Sequence, residues 1–121
     1  MARYLLLIYG DEQQWAMFSP EEQAAEFKLY SEYTDWLREK GWYEAGEALQ
    51  PVATATSVRV RDGKTLSTDG PFAETKEQLG GYYAISCDNL DEAIVAASRI
   101  PAARGGTIEV RPIFETEGMT P

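Results

Sequence analysis

Residues 3–9 read Arg3-Tyr4-Leu5-Leu6-Leu7-Ile8-Tyr9, and this short stretch decides the fold class. As a strand it sends Tyr4, Leu6 and Ile8 to one face and Leu5, Leu7 and Tyr9 to the other. Both sets are apolar, and a strand of that kind is covered on both sides. Downstream, Ser19 is a natural N-cap, Pro20 sits at the first helical position and Glu22 completes a capping box. Arg38 and Lys40 suit the negative end of the dipole and Gly41 is a stop, so a helix is expected over Pro20–Lys40, ~30 Å long. Its expected inward stripe is Phe27, Tyr30, Thr34 and Leu37.

Trp42–Leu49 reads as a second strand, interrupted by Gly46. Thr54–Arg61 alternates, Asp62-Gly63 is a two-residue turn, and Lys64–Thr68 returns antiparallel as a hairpin. Leu79–Cys87 is a further strand whose Gly80-Gly81 opening suggests a bulge or a tight approach. Asn89 caps a second helix with Leu90, Ala93, Ile94 and Ala97 inward, Pro101 ends it, and Thr107–Ile113 is the last strand. The order is β-α-β, a hairpin insertion, then β-α-β. That is the α+β, ferredoxin-like split βαβ plan, an antiparallel sheet with both helices on one face. Residues 1–114 make one domain, followed by a polar tail, Glu115 to Pro121. Two helices cover only one sheet face, yet the first strand is apolar on both. A second copy packed sheet against sheet is the simplest cover, so a homodimer is expected.

Composition narrows the function. The 121 residues are 44% hydrophobic and carry eleven basic against twenty acidic side chains, a net charge of −9. That sign disfavours direct nucleic-acid contact and anionic membrane surfaces. No stretch approaches the ~20 apolar residues of a bilayer span, and no secretory signal is expected. The absence of histidine removes the usual base near neutral pH and the commonest transition-metal ligand. The single cysteine, Cys87, reads as a small buried hydrophobe and fits a reducing, cytoplasmic setting. Neither a metal nor a cofactor is expected.

Three segments could carry chemistry. Thr68–Glu77 is a dense charged turn containing Asp69, Phe72, Glu74 and Lys76; Ile100–Gly106 holds Arg104; Glu109-Val110-Arg111-Pro112 puts Glu109 and Arg111 on one side of a strand. Each also has a plain reading. Asp69-Gly70-Pro71-Phe72 can be a turn with Phe72 plugging the core, the charged cluster a solvated loop, and the arginines partners of loop carbonyls or of Glu109. Trp15, Trp36, Trp42, Tyr82 and Tyr83 read as core and interface aromatics.

The string Asp69-Gly70-Pro71-Phe72-Ala73-Glu74-Thr75-Lys76-Glu77-Gln78-Leu79-Gly80-Gly81 resembles the signature of the YCII-related family, in the branch named for its Asp-Gly-Pro-Phe motif. Tyr4–Gly10, Ser19-Pro20-Glu21-Glu22, Thr54-Ala55-Thr56 with Val58-Arg59, Pro101–Gly106 and Glu109–Pro112 match in order, so the resemblance spans roughly Met1–Phe114. It implies a dimeric α+β barrel of ferredoxin-like protomers, similar in architecture to muconolactone isomerase. Relatives lie beside sigma factors of the extracytoplasmic class, and a few resemble dehydrochlorinase-type enzymes. Better-studied relatives carry a His–Asp pair proposed as catalytic, which cannot transfer to a chain without histidine.

Two functional readings follow. In one, the dimer is a cofactor-independent lyase or isomerase for a small acidic organic molecule. Asp69 or Glu74 moves a proton, Lys76 holds an anion, Phe72 and Glu109 line the substrate, and Arg104 and Arg111 clamp a carboxylate. In the other, the protein is a non-catalytic binding or regulatory module associated with sigma-factor-linked transcription through a partner protein.

Overall fold

The computed structural model describes residues 1–115, so all but the first residue of the expected tail lies outside the described residues. Strand β1 (Ala2–Gly10) is followed by a short helix α1 (Glu12–Ala16), which the sequence reading did not anticipate. Asp11 caps α1 by accepting the Gln13 N–H. Helix α2 spans Pro20–Lys40 as expected, with the Ser19–Glu22 capping box closed and Gly41 in the left-handed region at φ +75°. Next come β2 (Tyr43–Ala48), a 3-10 turn (Val52–Thr54), and the hairpin strands β3 (Thr56–Arg61) and β4 (Lys64–Asp69). The chain continues as β5 (Gln78–Cys87), α3 (Leu90–Ser98), a second 3-10 turn (Pro101–Arg104) and β6 (Thr107–Pro112).

The main sheet has the order β2-β5-β1-β6 with every neighbour antiparallel. Setting the hairpin aside, this is the arrangement of the split βαβ plan, in which the two βαβ units interleave. Strands β3 and β4 pair only with each other, as a separate two-stranded ladder.

The core lies between the sheet and the helices α2 and α3. Tyr4, Leu6 and Ile8 of β1 and Tyr83, Ile85 and Cys87 of β5 meet Tyr33 and Leu37 of α2 and Ala93, Ala96 and Ala97 of α3. The expected stripe of α2 is corrected at its start: Phe27 is 60% exposed, while Tyr33 is buried. Phe27 lies in the half of α2 that meets α1, and its ring packs on Trp15 at 5.6 Å instead of on the sheet. Helix α3 is corrected similarly. Its alanines face the sheet, the smallest side chains allowing the closest approach, and Leu90 and Ile94 remain half exposed on its flank.

The opposite sheet face carries Leu5, Leu7 and Tyr9 of β1 beside Tyr82 and Ala84 of β5. The long helices lie on the other side, where the core cluster is, so these side chains are covered only by their neighbours in the sheet. Glu47, opposite Tyr82, and Glu109, opposite Leu7, border this open face.

Candidate functional site

The segment between the hairpin and β5 is built from local signals. Asp69 closes the β3–β4 ladder opposite Thr56. Gly70 then turns the chain at φ +95°, its N–H donating to the Ala55 carbonyl at 2.7 Å. The Ser57 hydroxyl donates to the Gly70 carbonyl at 2.8 Å. Further along, the Thr75 hydroxyl donates to the Glu77 carbonyl at 2.6 Å, and the Gln78 amide donates to the Thr75 carbonyl at 2.6 Å.

Long-range bonds anchor this loop to the body. The Glu12 N–H donates to Gln78 Oε1 at 3.0 Å, and the Glu12 carboxylate accepts the Val52 N–H at 2.9 Å. One residue of α1, through its carboxylate and its backbone N–H, thus ties the 3-10 turn to the loop's end. The Thr107 hydroxyl donates to Glu77 Oε1 at 2.9 Å, fastening the loop to the first residue of β6. Between these anchors runs a groove of about 230 Å³ lined by Val52, Pro71, Ala73, Glu74, Thr75 and Gln78.

The residues singled out from sequence fall into three places. Asp69, Phe72, Glu74 and Lys76 stand together on the loop, all exposed. None of the three charged ones enters a salt bridge among the described residues. Phe72 does not plug the core: it is 81% exposed, because the Gly70-Pro71 turn carries the chain away from the helical layer. Glu109 and Arg111 share one side of β6, as expected, and pair at 2.7 Å. Hydrogen bonding to Glu109 raises the pKa of Arg111 above the usual guanidinium range. Arg111 lies four residues along β6 from Thr107, ~13 Å from the loop's anchor.

Arg104 belongs to the helical side, bonded to the Pro101 carbonyl at 3.2 Å and to Glu26 of α2 at 3.3 Å. It borders an open cleft of about 390 Å³ with Trp36 and Arg99, whose guanidinium lies 4.4 Å from the Trp36 ring centre. One protomer therefore does not unite Arg104 with the loop.

Glu12, Gln78, Ser57 and Thr107 organise the loop but escaped the sequence reading. A hydrogen bond across 40 or 66 positions leaves no periodic or local signature. Only Asp11 as an N-cap could have announced α1.

Chemically, besides Glu77, which Thr107 engages, the loop offers the carboxylates of Asp69 and Glu74 and the ammonium of Lys76 beside a groove with an apolar wall. No cluster of three metal-ligating side chains occurs among the described residues, and no helix there is long and apolar enough to cross a membrane.

Comparison with known proteins gives the family. Residues 2–117 match the model of the YCII-related domain. An uncharacterised protein of Rhizobium meliloti is 38% identical over 112 residues, covering 91% of this chain and 90% of its own. A match over nearly the whole length, on a sheet of this order, makes the protein a member of the YCII-related family.

Proposed function

We propose that the protein belongs to the Asp-Gly-Pro-Phe branch of its family. We further propose that it works as a cytoplasmic homodimer, a cofactor-independent lyase or isomerase for a small acidic organic molecule. The substrate lies in the crevice formed where two open sheet faces meet, with the loop from Asp69 to Gln78 at its rim. Asp69 or Glu74 transfers the proton, and Lys76 stabilises the negative charge that develops beside it. Phe72 covers the substrate's apolar part. Arg111, oriented by Glu109, holds a carboxylate from the sheet face. Arg104 is left outside this assignment, since its contacts lie in the helical layer.

The observation that carries this reading is the Thr107–Glu77 hydrogen bond, which fixes the charged loop at the end of the open face. Thermal shift and turnover with a panel of small organic acids test it, on the parent and on Asp69→Asn and Lys76→Ala. The parent should gain ~2–3 kcal/mol of stability at acid concentrations ~100-fold above Kd, and both variants should lose most of that gain. Stabilisation without turnover would favour the binding-module reading. Variants indistinguishable from the parent with every acid would remove the loop from the site.

A further inference from the structure

The β3–β4 hairpin has no home within its own protomer. Its strands pair with each other, and neither makes more than incidental approaches to another strand or helix. Every residue from Val58 to Asp69 is exposed. Val58, Val60 and Leu66 are 61%, 59% and 50% accessible. A lone two-stranded hairpin is at best marginally stable in water and needs a surface to pack on. Val58 and Val60 share one face of the ladder, opposite Ser67 and Thr65, and form a short apolar ridge.

We propose that this hairpin is an arm that docks at the border of the open sheet face of a second copy of the chain, beside the seam where the two sheets meet, and that the candidate groove is fully formed only when the arm is docked. The inference rests on the dimer reading above and adds to it which element crosses over and what the crossing does.

Two observations select a second copy as the occupant. The same molecule carries two unpartnered apolar surfaces, the arm's ridge and the Leu5, Leu7 and Tyr82 face. A two-fold pairing covers both at once. Charge points the same way. The arm holds Arg59, Arg61 and Lys64, three of the chain's eleven basic residues, while the chain as a whole is at −9. The open face is bordered by Glu47 and Glu109. Arg59, Arg61 and Lys64 lie on the ladder face opposite the valine ridge, with Leu66, so they do not line the apolar contact; they make the arm locally basic as it approaches an acidic second copy, which offsets repulsion between the two.

The link to the groove is covalent and short. Asp69 is the last residue of the ladder, and Gly70 is held by Ala55 and Ser57 at the arm's base. Pro71 and Ala73, immediately after, line the groove. Docking the arm steadies this base, so the partner that receives the arm also sets the position of Asp69.

The test combines hydrogen exchange with sedimentation velocity on the full chain. Exchange is followed at the 56–69 amides and at Gly70, above and below the dimer's dissociation concentration. Protection of these amides should rise about tenfold or more on dimerisation, Gly70 included. Val58→Asp with Val60→Asp should weaken the dimer about tenfold or more while leaving the urea midpoint of the monomer unchanged. The milder Val58→Ala with Val60→Ala should weaken it in the same direction, which guards against a ladder that fails to form. A dimer whose arm exchanges equally fast at every concentration, or that both double variants leave intact, overturns the arm while the dimer stands. A parent that is monomeric throughout overturns the arm and the dimer reading together.

Discussion

Three tyrosines meet where α2 lies against the sheet. The rings of Tyr33 and Tyr83 are 5.1 Å apart edge to face, and the Tyr33 hydroxyl donates to the Ala96 carbonyl at 2.7 Å. Tyr83 shares a 2.9 Å hydrogen bond with the Thr34 hydroxyl, and burial pushes the pKa of Tyr30 up to about 12. Burial also raises Tyr33 and Tyr83. Since the unfolded chain gives up these protons first, the stability they contribute is intact below about pH 10 and falls as pH rises towards 12. Urea midpoints measured across that range should decline with pH, and should decline less for Tyr30→Phe. A flat profile would contradict the burial assigned to them. Periodicity had placed Tyr30, Thr34 and Leu37 on the inward stripe, and it erred at Phe27. Spacing tells which side chains share a helix face, but not whether a sheet or a five-residue helix such as α1 lies opposite.

At the scale of elements, local chemistry was legible and long-range pairing was not. The Ser19 capping box, the Asn89 cap and the Asp62-Gly63 turn each state their own geometry, and the structure has all three. The glycine pair opening β5 also behaves as read: Ile8 pairs with Gly81 and Tyr9 with Leu79, leaving Gly80 as the extra residue of a bulge. Gly46, expected to interrupt the second strand, instead pairs within an unbroken β2, and only the fold reveals why it is glycine. A Cβ there would stand 2.6 Å from the ring of Tyr83, its direct partner in β5. Gly46→Ala should therefore cost ~1–3 kcal/mol, read as a lower urea midpoint with the slope unchanged. A midpoint equal to the parent's would show that the ring yields freely. The groove was out of reach for the same reason as Gly46. The motif loop announced itself by composition, but its anchors Glu12 and Gln78 are joined only by the tertiary fold.

For the whole molecule, the decisive feature is the asymmetry of the sheet. One face carries the core, and the other presents Leu5, Leu7, Tyr9 and Tyr82 with no helix over them. The first strand's doubly apolar pattern anticipated this, since two helices have only one face to cover. Residues that sequence grouped by charge separate in space, Arg104 to the helical side and Arg111 along β6, because charge says nothing about which layer a residue joins. In the dimer we propose, a second copy would close the open face, give the hairpin a surface and place the loop at the rim of an enclosed crevice. Light scattering on the intact chain at micromolar concentration tests this most directly. We predict a mass twice the 13.5 kDa of one chain, and a species of 13.5 kDa would contradict the account.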